Sequence, residues 1–135
     1  MERGKNIQSA MKELFGGSCC AYCYAYLILK TPDYKSMTRY LLEGWSLGYL
    51  DDDAFVSKPV QFLKLLGLKC KDIQKIKINS LSELPTEGDF VVEYKNPHGG
   101  SHFVVANRQG VVFDPSDPSD SVKMGVILSY RKIIC

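Results

Sequence analysis

The residue types needed for nucleophilic acyl chemistry occur in the order Cys, His, Asp along this chain of 135 residues. Cys19 follows the helix breaker Gly16-Gly17 and the potential N-cap Ser18, and a mainly apolar segment begins with it. We therefore expect Cys19 at a helix N-terminus, beside backbone N–H groups without intrahelical partners. Those groups carry about half a positive charge, which favours a thiolate. Cys19 is the candidate nucleophile.

The candidate base is chosen from only two histidines. His98 lies in the Gly- and Pro-containing turn at residues 96–100, which would hold an imidazole poorly. His102 begins the apolar run Phe103–Ala106, so we expect it at the edge of a strand, where the backbone is fixed. His102 is therefore the candidate base.

The group that orients the base follows from the turn at residues 107–110. Its sequence, Asn-Arg-Gln-Gly, suits a type I turn with Gly110 in a left-handed conformation, which gives a three-residue loop with a bulge. That register pairs Val104 with Asp114, so His102 and Asp114 become diagonal neighbours on one face, about 7–8 Å apart at the backbone. A two-residue loop would place them on opposite faces. Asp114 is the candidate orienting carboxylate.

These residues must be positioned by helices in the first half of the chain and strands in the second half. This order predicts an α+β fold in which the Cys19 helix packs on an antiparallel sheet of four to five strands. We expect Trp45 and the tyrosines of the first helices in the core. Helices are predicted at Ile7–Phe15, Cys19–Lys30, Tyr34–Leu47 and Val60–Leu66, and strands at Ile73–Ile78, Phe90–Tyr94, His102–Ala106, Val111–Phe113 and Val126–Ile134.

The segments around the candidate residues resemble those of the papain-like cysteine peptidases. Gly17–Cys23 resembles the Gly-Ser-Cys-Trp-Ala-Phe-Ser segment around the papain nucleophile. Ser101–Val105 and Val112–Pro115 are similar to the pattern of the compact, bacteriocin-processing branch, and the overall pattern also resembles a small family of spirochaete plasmid-encoded proteins. The resemblance implies a single papain-like domain over residues 1–135 that cleaves an amide bond in a peptide or protein through Cys19, His102 and Asp114.

One position departs from the papain-like pattern. The superfamily usually has Gln six residues before the nucleophile as an oxyanion donor, and Glu13 occupies that position. A carboxylate there would repel a developing oxyanion, and losing one such donor typically lowers the rate by about 10²–10³. A papain-like module that binds a peptide without cleaving it is therefore the alternative, and acyl transfer to an amine would use the same three groups.

Composition restricts the other classes of function. A net charge of +2 without a long Lys/Arg cluster argues against nucleic-acid binding. An odd count of five cysteines predicts reduced thiols and a cytoplasmic protein, and no segment predicts a membrane helix. Cys20 and Cys23 lack a preceding thioredoxin-like strand and paired zinc ligands, so we predict buried thiols, no metal and no cofactor.

Overall fold

A computed structural model of the chain describes residues 18–31, 33–97, 100–115 and 124–135. The predicted helix Ile7–Phe15 lies outside these residues. The described part has an α+β architecture in which helices precede an antiparallel sheet, as the sequence predicts. In these four ranges no helix is both long and apolar enough to cross a membrane.

Three α-helices precede the sheet in the described residues: α1 is Cys19–Leu29, α2 is Tyr34–Ser46 and α3 is Pro59–Leu66. Helix α1 ends at Lys30, whose left-handed φ of 55° directs the chain away from the helix axis. Helix α3 ends at Gly67, where φ is 111°, a conformation that glycine adopts without the steric penalty of a Cβ atom. Both helices therefore end at a residue with a left-handed backbone conformation.

Five strands occur in the described residues: β1 (Asp72–Lys77), β2 (Phe90–Lys95), β3 (Ser101–Asn107), β4 (Gly110–Phe113) and β5 (Val126–Ile134). They form one antiparallel sheet with the order β1-β5-β2-β3-β4. A short 3₁₀ helix at Leu81–Glu83 lies between β1 and β2.

Strands β2 and β3 are buried on both faces. Val91 and Val105 belong to the cluster formed with the helices, whereas their neighbours Val92 and Val104 belong to a second cluster with Leu84. Successive side chains of a strand point to opposite faces, so the two clusters lie on the two sides of the sheet. Burial of both faces explains the consecutive apolar residues Val91-Val92 and Val104-Val105-Ala106 in these strands.

Ser18 precedes α1, but the prediction that its side chain caps the helix is wrong. Its backbone is already helical, with φ of −82° and ψ of −7°, and its side chain makes no capping hydrogen bond. Capping by a side chain requires an extended backbone at this position. Ser18 instead accepts the first helical hydrogen bond through its carbonyl, from the Tyr22 N–H at 3.1 Å.

The prediction that Trp45 lies in the core is wrong. Its side chain is 42% exposed, and the indole N–H donates to the Asp52 carboxylate at 3.3 Å. The buried positions of α2 are Met37, Leu41 and Gly44, and Trp45 is rotated about 100° from Gly44 around the helix axis. The same prediction is correct for Tyr22 and Tyr24, which are buried.

Candidate active site

Cys19 is the first residue of α1 and is the partly exposed end of an otherwise buried helix segment. The residues that follow it, from Cys20 to Ala25, are all buried. Burial raises the pKa of the Cys20 and Cys23 thiols well above its ordinary value. The structure therefore separates one accessible thiol at the helix N-terminus from two buried thiols, as the sequence predicts.

His102 and Asp114 are in direct contact. The Nε2 atom of His102 lies 2.7 Å from Oδ1 of Asp114, and their side chains are 7% and 9% exposed. Cys19 is near enough to His102 to contribute to the raised pKa of its imidazole. Because Asp114 engages Nε2, Nδ1 is the ring nitrogen that remains for the thiol. The three side chains therefore form one electrostatically coupled group, in which the contact between His102 and Asp114 is the direct one.

The electrostatics of this arrangement favour a charged imidazole. Burial by itself would lower the pKa of His102, since it disfavours the imidazolium. Hydrogen bonds with Asp114 and Cys19, and the negative charges that these two groups can carry, outweigh burial and raise the pKa of His102 to about 9. His102 is therefore protonated at neutral pH and can act as an acid.

The β3–β4 hairpin reaches the predicted register by a different route. The loop contains only Arg108 and Gln109, since Asn107 pairs with Gly110, and a two-residue loop alone would separate His102 from Asp114. The register then shifts: Ala106 pairs with Val111, but Val105 pairs with Phe113. The extra residue, Val112, is a β-bulge that restores the alignment of Val104 with Asp114. Gly110 has the predicted positive φ, at 138°.

Aromatic side chains that the sequence analysis did not assign to the site fix the position of Asp114. The preceding residue, Phe113, stacks on Tyr26 of α1 with ring centroids 4.4 Å apart and an interplanar angle of 2°. Tyr34 contacts the same ring at 5.9 Å, and its hydroxyl donates to the Pro115 carbonyl at 3.5 Å. Both residues flanking Asp114 are therefore anchored to the helices.

Tyr94 also borders the site. It pairs with His102 across β2 and β3 and is 5% exposed. Burial, followed by the negative charge of Asp114, raises the pKa of its phenol. No local sequence signal distinguishes this tyrosine from the other seven in the chain, because only the pairing of the strands places it opposite the imidazole.

The remaining candidates lie outside the described residues. Glu13, at the position of the oxyanion donor, and His98, the rejected base, are both in this category. Among the residues that the structure does describe, no group of three or more His, Cys, Asp or Glu side chains could hold a metal ion. Cys20 and Cys23 are free thiols.

The raised pKa of His102 predicts a specific dependence of stability on pH. Its contribution is complete below the unfolded pKa of about 6.5 and is lost as the pH rises through the folded value of about 9. We expect the free energy of unfolding to fall by about 2 kcal/mol over this interval relative to His102→Gln, less than the full shift because some solvent contact remains. Urea unfolding at several pH values measures it. Parallel curves for the two proteins would contradict the charged imidazole, and His98→Gln is the matched control.

Comparison with known proteins identifies a family. A family model described as "Protein of unknown function, DUF261" matches residues 7–134, which include all the candidate site residues. No curated protein and no solved structure shows significant similarity to the chain. The chemistry of the site must therefore be argued from its own residues.

Proposed function

We propose that this chain, which belongs to the DUF261 family, is a papain-like cysteine peptidase or thiol hydrolase that cleaves an amide bond in a peptide or protein. The observation that carries the proposal is the imidazole of His102, which lies 2.7 Å from Asp114 and whose pKa is raised by both Asp114 and Cys19. A nucleophile, an acid–base group and an orienting group that are coupled in this way are what nucleophilic catalysis requires.

The first half of the reaction forms an acyl-enzyme. The Cys19 thiolate attacks the carbonyl carbon, so a C–S bond forms and the carbonyl oxygen becomes an oxyanion. When the oxyanion collapses, the C–N bond breaks and the His102 imidazolium gives its proton to the departing nitrogen. An amine leaves, and the acyl group remains on Cys19 as a thioester.

The second half releases the acid. His102, now neutral, takes a proton from a water molecule whose oxygen attacks the thioester. The C–S bond breaks, the carboxylic acid leaves, and the thiolate–imidazolium pair is restored. Throughout both steps Asp114 holds Nε2, so Nδ1 stays directed at the sulfur and the ring keeps one orientation.

The architecture also supports the papain-like assignment. Cys19 lies at the N-terminus of a buried helix that packs on β3, the strand that carries His102. The Asp114 carboxylate comes directly after β4, the next antiparallel strand. The chain order and this helix-on-sheet layout are those of the compact branch that the sequence motifs resemble.

A second candidate function is a papain-like module that binds a peptide without cleaving it. The observation that favours it is the residue type at position 13, a glutamate, whose ionised side chain can only accept hydrogen bonds, where the superfamily has a donor. The backbone N–H of Cys19 would then be the main oxyanion donor. Such a module would bind its peptide at the same residues while hydrolysis is slow.

The proposed nucleophile is tested by the rates at which the cysteines are alkylated. We expect iodoacetamide at neutral pH to modify Cys19 faster than Cys20, Cys23 and Cys70, because Cys19 is accessible and paired with an imidazolium whereas burial keeps the others as thiols. Mass spectrometry after proteolysis reads each site.

The control for this experiment separates accessibility from activation. His102→Ala leaves Cys19 exposed but removes its cation, so its alkylation should slow while the rate at exposed Cys135 stays unchanged. Equal rates at all the cysteines, or no effect of His102→Ala, would rule out an activated nucleophile and with it the hydrolase.

A further inference from the structure

A pocket of about 240 Å³ is lined by residues of α1 and of strands β1, β3 and β5. Its lining includes Cys20, which follows Cys19 in α1, and Phe103, which follows His102 in β3. Tyr24 and Phe55 add further aromatic surface. The pocket thus begins one residue beyond Cys19 in α1, and its wall is largely apolar.

Two cations also line this pocket. Lys75 and Arg131 are direct partners across β1 and β5, and both contribute to the lining. The anion next to them is Glu93, whose Oε1 lies 3.4 Å from the Lys75 ammonium and 3.5 Å from Nη1 of Arg131. Two positive charges face one negative charge, so the pocket keeps an excess of positive charge.

Both carboxylate oxygens of Glu93 accept hydrogen bonds from side chains of the protein. Ser129 donates to Oε1 at 2.8 Å and Ser101 donates to Oε2 at 2.9 Å. Burial alone would raise the pKa of Glu93, but these hydrogen bonds and the two cations outweigh it and lower the pKa. The carboxylate is therefore charged at neutral pH, and its role is to hold the guanidinium of Arg131 in place.

Only the Nη1 nitrogen of the Arg131 guanidinium is hydrogen-bonded within the described residues, so its other nitrogens can donate to a ligand. Nη1 donates to Ser129 at 2.8 Å and approaches Glu93, and the guanidinium carbon lies 5.2 Å from the centroid of the Phe103 ring. Within the described part of the chain, Nε and Nη2 have no hydrogen-bond partner. A planar guanidinium fixed in this way presents two parallel N–H groups, the geometry that binds a carboxylate with two hydrogen bonds.

We propose that this pocket binds a carboxylate of the peptide on which the site acts, with Arg131 as the hydrogen-bonding fork and Lys75 as the second charge. This assignment rests on the proposed function, because the pocket matters to substrate choice only if Cys19 is the attacking group. The ligand class is an acidic peptide that places an aspartate or glutamate side chain, or the carboxyl end of a chain, in the pocket.

The test measures binding without turnover. Cys19→Ala in the full chain is titrated with capped alanine pentapeptides that carry one Glu or one Gln at each position in turn, and the Arg131 Nε–H resonance is followed by NMR. We expect one Glu peptide to bind about tenfold more tightly than its Gln counterpart, since a charge-assisted pair replaces a neutral one. A Gln peptide with a free C-terminus tests the other source of the carboxylate.

Variants assign the effect to the pocket. Arg131→Met keeps an apolar stem over Phe103 and should reduce the preference for the carboxylate to about one. Lys75→Met changes an exposed side chain, so it should fold, and we expect it to weaken the preference. Lys132→Met, the next residue of β5 and on its other face, is the matched control and should retain the preference.

The outcomes distinguish this proposal from the hydrolase. Equal binding of the Glu, Gln and free-carboxyl peptides, or a preference that survives both Arg131→Met and Lys75→Met, overturns the pocket even if Cys19 is catalytic. Charge-dependent binding in a protein whose Cys19 is unreactive rejects the hydrolase and assigns the pocket to a binding module. Tenfold discrimination that depends on Arg131 supports the pocket in either case.

Discussion

His102→Ala should lower the rate of amide hydrolysis by about 10²–10⁴, the usual contribution of a positioned acid–base group. The reason is the proton that the departing amine needs, which comes from the imidazolium in the proposed first step. A pool of capped peptide 4-nitroanilides is a suitable substrate, and the release of nitroaniline measures the rate.

Two comparisons make this prediction specific. The leaving group of an activated 4-nitrophenyl ester is 4-nitrophenolate, a weakly basic anion that needs little protonation. In His102→Ala the rate of acylation by the ester should therefore fall much less than the rate of anilide hydrolysis. His98→Ala should match the wild type on both substrates. A large loss in His98→Ala with none in His102→Ala would transfer the role of the base and disprove the assignment made from the hairpin.

Glu13→Gln should raise the rate of the same reaction by about 10²–10³. The substitution replaces a hydrogen-bond acceptor with an amide donor at the sequence position where the superfamily stabilises the oxyanion. Removing such a donor from other enzymes slows them by that factor, so adding one here should have the opposite effect. Initial rates on the nitroanilide pool measure it.

Control variants separate the possible origins of a gain. Glu13→Ala removes the repulsive charge without adding a donor, so it should recover only part of the increase, and Glu2→Gln makes the same chemical change elsewhere near the N-terminus. Cys19→Ala in the Glu13→Gln background should abolish hydrolysis. An inert wild type that Glu13→Gln activates would identify the natural protein as a peptide binder. A slower Glu13→Gln enzyme would contradict the oxyanion argument and give Glu13 a catalytic role.

Local sequence was sufficient for the features that depend on a few adjacent residues. The glycines before Cys19 and the apolar segment after it predicted where α1 begins, and the change from helical to alternating periodicity predicted the antiparallel sheet. The short hairpin at residues 107–110 brought His102 and Asp114 onto adjacent strands, although their shared face depends on the bulge at Val112. These predictions held because helix ends, strand periods and tight turns are governed by interactions within a few residues.

The bulge in β4 shows where such reasoning reaches its limit. The hairpin sequence predicts a three-residue loop, whereas the structure has a two-residue loop and an additional, bulged residue at Val112 inside the strand. Both arrangements give the same alignment of Val104 with Asp114. The choice between them depends on what the strand packs against, including the Tyr26 ring that stacks on Phe113, and the hairpin sequence does not contain that information.

The sequence by itself thus determined the order Cys19, His102, Asp114, the helix that begins at the candidate nucleophile and the antiparallel hairpin that carries the candidate base. Only the tertiary structure decided that Trp45 is exposed, that the Tyr34 hydroxyl donates to the Pro115 carbonyl, and that Arg131 and Cys20 line one pocket. The physical reason is sequence separation. Arg131 and Glu93 are 38 residues apart, so their contact arises only from the pairing of β2 with β5, which no local pattern specifies.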